Sequence, residues 1–331
     1  MPGLSMADGT PTGGVYGFVS LAIELIKKLE PDYVAVAWDK RGTNIRKRRE
    51  LYPEYKAGRK PAPDDFYQQI PILMELLDAF GWPLYELDDY KADDIMATFA
   101  VEAAKKGIET CLITSDLDAL QAVSPTTRVF AMKNGLSNIQ EFTPESFEAK
   151  YGIKTEQFLD LKSLMGDASD NLPGVAGVGQ KTAVKLLQEY GDLDNVFKHV
   201  NEQKGALRTR LEAGRESAYL TREVARLWSD APVKLDWAVA DVNDCDYERV
   251  AEILRRLEFH SLVGKLPANM RAGGVIEVQS EQLATPDVVP LTPDVVFEAE
   301  TLVYVDNGEL YLMVGDRAYQ ASVTAVSEVV W

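Results

Sequence analysis

Three short apolar runs, set between segments of helical periodicity, constrain this chain more than anything in its composition. Residues 33–38 (Tyr-Val-Ala-Val-Ala-Trp) end at Asp39, residues 108–113 lead into Thr114, Ser115 and Asp116, and residues 129–132 form the third run. Runs this short and nearly continuously apolar predict strands buried in a parallel sheet. Helical spacing precedes and follows them. It is clearest over 14–29, where Val15, Phe18, Leu21, Leu25 and Leu29 recur at steps of three and four, and it returns at 64–80 and 92–106. Strands alternating with helices predict an α/β fold with a mostly parallel sheet flanked by helices.

From about residue 144 the pattern becomes helical, over 144–151, 155–165, 180–190, 216–228 and 247–257. Residues 272–296 read as a linker holding a near-repeat, Thr-Pro-Asp-Val-Val at 285–289 and again at 292–296. Beyond it, 302–305 and 309–314 flank Asn307-Gly308, a strong hairpin signal. Trp331 falls inside an apolar run, so the expectation is a further domain cut short.

Composition limits the chemistry. There are two histidines, His199 and His260, and two cysteines, Cys111 and Cys245. Histidine-rich metal sites and disulfide frameworks are therefore not expected, and a reducing cytoplasm is the default compartment. No stretch of 18 apolar residues predicts a membrane span, and the start lacks the features of a signal peptide. Any metal would have to be held by carboxylates, which favour Mg²⁺ or Mn²⁺. A net charge of −17 argues against a uniformly basic nucleic-acid binder, so the distribution of charge decides.

Acidic residues cluster where an α/β sheet places its site, at the carboxyl ends of strands. Asp39 follows the first run, and Asp116 and Asp118 follow the second. Asp93 and Asp94 open a helix, and Asp167 and Asp170 lie in Gly166-Asp167-Ala168-Ser169-Asp170-Asn171. Singly, Asp93 could be a helix cap and Asp167 and Asp170 turn formers. Brought together they would repel unless cations lay between them, and two Mg²⁺ ions roughly 4 Å apart can clamp a phosphodiester.

Two segments could face nucleic acid. Residues 40–60 hold nine Lys or Arg (Lys40, Arg41, Arg46, Lys47, Arg48, Arg49, Lys56, Arg59, Lys60) against two Glu, with Tyr52 and Tyr55 interleaved. Cations for phosphates and aromatic faces for bases suit single-stranded DNA, and a solvated basic helix is the plainer reading. Residues 172–183 (Leu-Pro-Gly-Val-Ala-Gly-Val-Gly-Gln-Lys-Thr-Ala) read as a glycine-rich hairpin between helices. Its Gly174, Gly177 and Gly179, followed by Lys181 and Thr182, would present backbone N–H groups, a helix N-terminus and an ammonium to a phosphate. A helix-turn-helix packing motif is the alternative.

Together and in order, residues 8–18 (Asp-Gly-Thr-Pro-Thr-Gly-Gly-Val-Tyr-Gly-Phe), 31–39, 52–59, Ala92-Asp93-Asp94, 166–171 and 174–183 resemble the 5′-nuclease domains of bacterial DNA polymerase I, over about 1–268. The resemblance implies a PIN-like or resolvase-like nuclease core at 1–140, with a helical arch at about 43–80. It implies a helix-hairpin-helix DNA-binding subdomain at 141–268, a linker at 269–296 and the start of an exonuclease-like domain at 297–331. It implies a 5′-3′ exonuclease or flap endonuclease of bacterial cytoplasm, acting in replication and repair on DNA with a 5′ flap or a single-strand/duplex junction. By the same resemblance Asp39, Asp93, Asp94, Asp116, Asp118, Asp167 and Asp170 belong to a two-metal site. Lys56 and Arg59 face the scissile phosphate, Arg46, Arg48, Tyr52 and Tyr55 face DNA, and K⁺ binds at the hairpin. A polymerase domain would be encoded separately.

Three positions depart from the family. Met1 falls after the place of its first strand, so that strand and its Asp are expected to be missing; Lys91 stands where the family has Glu; and Leu117 replaces a usually basic residue. An ammonium at Lys91 repels a metal, so the site is expected to be weakened. The readings are therefore a metal-dependent nuclease, a DNA-holding fragment that cuts poorly, and a ribonuclease of a related α/β family, which the hairpin disfavours.

Overall fold

The computed structural model describes residues 4–132 and 139–267, together with 288–290, 302–306, 309–314 and 317–322. The chain divides into two compact units, Met1–Gly273 and Gly274–Trp331.

In the first unit, α1 (Gly13–Leu29) buries Val15, Val19, Ile23 and Ile26 along one face. Each such burial stabilises by about 1.5–3 kcal/mol. Strand β1 (Val36–Ala37) is only two residues long and pairs in parallel with β2 (Leu84–Tyr85). Between them come α2 (Arg46–Leu51) and α3 (Asp64–Ala79). The run at 33–38 is thus not a strand buried on both faces. Its residues 34–38 are half-buried and Tyr33 is 39% exposed. Its first half pairs elsewhere, because the Val34 N–H donates to the Ala240 carbonyl and the Val242 N–H to the Asp32 carbonyl.

Helix α4 (Ala92–Lys105) leads to β3 (Thr110–Thr114), β4 (Thr127–Met132) and β5 (Ile139–Phe142). β3 and β4 are parallel, and β5 is antiparallel to β4. The sheet therefore comes in two pieces, and α4 packs against both β1 and β3. β2 is too short for periodicity to reveal.

The helices that follow are α5 (Pro144–Tyr151), α6 (Phe158–Met165), α7 (Gln180–Tyr190), α8 (Leu193–Lys198), α9 (Gly205–Ala225), α10 (Tyr247–Arg256) and α11 (His260–Val263). Thr143 caps α5, its hydroxyl accepting the Ser146 N–H. α9 begins well before the expected residue 216 and runs through Gly214 without breaking. That glycine serves close approach, since a Cβ there would meet Val175 Cγ1 at 2.8 Å.

Two cores cross the boundary expected at 140/141. One joins Leu112 and Val129 of the sheet to Phe147, Phe158, Leu186 and Leu211 of the helices. The other joins Val19, Leu76, Phe80 and Trp82 to Val250, Leu254 and Phe259, so residues 242–266 return to the start of the chain. Among the described residues no helix is long and apolar enough to cross a membrane.

The second unit is a four-stranded sheet of β6 (Val288–Pro290), β7 (Leu302–Asp306), β8 (Glu309–Val314) and β9 (Arg317–Ser322), in the order β6-β9-β8-β7. β7 and β8 pair antiparallel with Asp306 opposite Glu309, as Asn-Gly between them predicts. Residues 288–290, expected within a linker, form an edge strand parallel to β9; the rest of 269–296 lies outside the described residues.

Candidate functional site

Two loops build an open cleft of about 310 Å³, lined by Arg59, Ser115, Asp116, Asp118, Asp167, Ser169 and Asp170. The first loop leaves β3, where one oxygen of Asp116 accepts the Asp118 N–H at 2.9 Å and starts a short 3₁₀ turn. The second follows α6. Its ends are tied by paired bonds between Asp167 and Leu172, and the Asp167 carboxylate accepts the Ser169 N–H and hydroxyl. Here Gly174, at φ +55°, lies against Gly166 so closely that a Cβ would sit 2.1 Å from the Gly166 nitrogen. Only glycine permits that approach.

Cations from four positions fill the space among the acids. The Lys162 ammonium on α6 touches Asp118 and lies 2.9 Å from Asp167. Lys91, just before α4, is 3% exposed; its ammonium is 2.7 Å from Asp93 and 3.9 Å from Asp116. Lys56 and Arg59 approach Asp170 at 3.7 and 2.6 Å, and the buried Tyr55 hydroxyl donates to the same carboxylate at 3.0 Å. Burial pushes the Lys56 ammonium down to about 8, with the Lys91 charge adding to the effect. Burial opposes charge on Lys91 as well, but Asp93, Tyr55 and Asp116 outweigh it and hold its pKa above the usual lysine value. For Asp167, burial would raise the carboxyl, but the Ser169 bonds and Lys162 override it and hold it at about 2.

Of the seven aspartates expected to form one metal site, four line this cleft. Asp93 stands behind it on Lys91, and Asp39 accepts the Ala92 N–H at 2.8 Å at the start of α4. Asp94 lies elsewhere. It is fully buried, gripped at two oxygens by Arg48 (2.7 and 2.8 Å), and also accepts the N–H groups of Lys91 and Trp228. Its acceptor sites are taken, and it acts as a structural tie. Among the described residues no three Asp, Glu, His or Cys side chains are grouped to hold a metal ion. As they stand the carboxylates do not fit one, because lysine ammonium groups stand between them.

The basic segment is also sorted by the fold. Arg48, expected to face DNA, is 1% exposed; besides Asp94 it donates to the carbonyls of Val224 and Arg226 and stacks on Trp228 at 4.0 Å. Tyr55, at 2% exposed, presents no face to a base, and Tyr52 is half-buried beside it. Arg46 is exposed but pairs with Asp89 at 2.7 Å. Arg41, Lys47 and Arg49 are exposed, and among the described residues they pair with no carboxylate: Arg41 and Lys47 lie over Tyr67 and Tyr90, and Arg49 donates to the Tyr55 carbonyl. The sequence reading missed Lys162. Its signal was register, since it lies four residues after Phe158 and three before Met165, both of which turn toward the core.

At the hairpin, Gly177, Gly179 and Lys181 are exposed and Thr182 is half-buried at the N-terminus of α7. Gly174 is buried in the loop contact described above and does not face outward. Arg210 donates to the Gly177 carbonyl at 3.2 Å, so a cation of the chain's own already stands at the hairpin where K⁺ was expected.

Family models describe residues 1–152 as a 5′-3′ exonuclease N-terminal resolvase-like domain and residues 153–248 as a 5′-3′ exonuclease C-terminal SAM fold. The DNA polymerase I of Bacillus caldotenax is 40% identical over 267 residues, 80% of this chain and 30% of that protein. That of Bacillus subtilis is 33% identical over 312 residues, 94% of this chain and 35% of that protein. The chain thus spans about a third of the curated relatives it matches. Among solved structures, a T5 5′-exonuclease with bound zinc superposes with a TM-score of 0.56 at 22% identity, covering 75% of this chain and 92% of that one. The catalytic core of Rad2 in a complex with DNA gives 0.53 at 16%, covering 80% and 87%. At such identities these structures speak for the fold.

Proposed function

This chain belongs to the 5′-3′ exonuclease family, and on that premise we propose that it binds DNA at a single-strand/duplex junction as a 5′-nuclease module. The observation that carries the reading is the cleft in which Asp116, Asp118, Asp167 and Asp170 meet Arg59. Exposed Lys47 and Arg49 on the arch, with Arg41 just before it, would take the single strand by its phosphates. The start of α7, with Gly179 and Lys181, would take a duplex phosphate through the Gln180 and Lys181 N–H groups and an ammonium. Arg59, half-exposed at the rim, would orient the phosphate to be cut.

Hydrolysis without a histidine calls for a divalent cation, Mg²⁺ or Mn²⁺ in this reading, and the similar T5 5′-exonuclease structures hold metal ions. Lys91 and Lys162 would have to leave their carboxylates before such an ion could enter. A second reading, a module that holds junction DNA and cuts slowly, is favoured by those same two lysines.

The test is binding of 5′-flap DNA across a salt series, followed by cleavage with Mg²⁺ or Mn²⁺. Lys47→Ala with Arg49→Ala should lower the slope of log K against log salt by about one to two units. Asp116→Ala should abolish whatever cleavage is present. Flap DNA left unbound at low salt by the unaltered chain would refute the function, and an unchanged slope would refute the arch contact.

A further inference from the structure

We infer that the cleft carries its own counter-cations: the ammonium groups of Lys91 and Lys162 occupy the places a divalent ion would need, so metal binding to this chain is a competition with two of its own lysines. The inference rests on the reading of the cleft given above.

The two lysines come from different elements yet play the same part. Lys162 reaches from α6 to Asp118 beyond β3 and to Asp167 in the loop after α6, bridging the two loops that build the cleft. Lys91 reaches from the residue before α4 to Asp93 and Asp116, bridging α4 to the first loop. Both are sequestered, with side chains 4% and 12% exposed. Lys56 and Arg59 answer Asp170 in the same way. The five carboxylates paired with these cations (Asp93, Asp116, Asp118, Asp167, Asp170) carry one net negative charge against the four, and Asp39, which acts on Asp93, adds one more. A cluster already so nearly balanced offers a divalent ion little net attraction, and entry requires a buried ammonium to be expelled from its partners.

Two consequences separate this from a site that is merely vacant. The cleft assembles without metal, because its repulsion is already compensated. DNA binding by the arch and hairpin does not wait for metal either.

The test is a titration of Mn²⁺ alone, by calorimetry and by the loss of the free-Mn²⁺ paramagnetic resonance signal. It uses the full chain, Lys91→Glu, Lys162→Met, both together, and Lys162→Arg. The unaltered chain and Lys162→Arg should bind with a Kd above about 1 mM, and Lys91→Glu and Lys162→Met should each tighten binding at least tenfold. Tighter binding by the unaltered chain, or variants no tighter than it, would overturn the inference. Should a variant fail to fold by circular dichroism, the unaltered chain decides the matter. Its Tm should be the same in 1 mM Mn²⁺ as in EDTA, and a rise of several degrees would overturn the idea. Flap-DNA binding measured in EDTA keeps the two claims apart. Binding retained there supports metal independence, and binding that appears only with Mn²⁺ overturns it. No binding under either condition refutes the proposed function, while the Mn²⁺ titration still decides the inference.

Discussion

Replacing Arg48 with alanine should be among the most destabilising single changes in the first unit. The side chain is 1% exposed and makes four hydrogen bonds, two to Asp94 and one each to the carbonyls of Val224 and Arg226. It also covers the face of Trp228. Removing it leaves Asp94 at zero exposure with its charge answered only by the N–H groups of Lys91 and Trp228. Deleting one partner of a buried pair costs about 3–5 kcal/mol, because the survivor stays charged without compensation. With a urea m-value of about 3 kcal/mol/M, the midpoint should fall by roughly 1–1.7 M. Adding Asp94→Asn to the Arg48→Ala chain should recover only part of the loss: it removes the stranded charge, but the Lys91 and Trp228 N–H groups bond different oxygens and the amide keeps an acceptor for one of them. Urea denaturation of the single and double variants closes a thermodynamic cycle. A loss under about 1 kcal/mol with an unchanged m-value would show that the arch base is not fastened here, and the argument from burial would fail.

Gly174→Ala should prevent folding or cost more than about 3 kcal/mol, because its Cβ would overlap the Gly166 backbone at a left-handed φ. Gly179→Ala, with no atom within 4 Å of the new carbon, should cost at most about 1 kcal/mol; thermal melts of the pair check the contrast. Burial pushes the Cys245 thiol up to about 11, with Asp246 adding to it, and raises Cys111 as well. A raised pKa leaves little thiolate at pH 8, so a disulfide reagent should react slowly with the native protein and promptly with both thiols once urea unfolds it.

The longer helices were legible because each repeats its apolar face, as α1 and α4 show within a residue or two, whereas the short α8 and α11 were not read and α9 was read only from residue 216. The short strands were not, since two residues carry no period, and half of the 33–38 run pairs with residues 240–242 far along the chain. The acidic loops could be read from their place after β3 and α6. Which of their neighbours turn inward could not be read from residue type. In the basic run, Arg48 shares a helical face with Ile45 and Tyr52, both partly buried, so its register pointed to the interior while its charge pointed out. Asp93 and Asp94 differ in the same way. They are adjacent in sequence, but one meets Lys91 beside the cleft and the other is clasped by Arg48. Lys91 was identified as a departure from the family, whereas its ion pairs with Asp93 and Asp116 emerge only from the fold.

The tie between Arg48 and the end of α9 has a bearing on how the protein is made. Its carbonyl partners lie 176 and 178 residues downstream, and the Val34 N–H waits for Ala240. At about 5–20 residues per second, a ribosome needs roughly 10–35 s to supply those partners after Arg48 has been added. During that interval Leu76, Phe80 and Trp82 lack the cover of Val250, Leu254 and Phe259. The matched segments 1–152 and 153–248 are thus not two beads folded in turn. The first emerges with part of its apolar face uncovered, and that face closes only when α9, α10 and α11 have been synthesised.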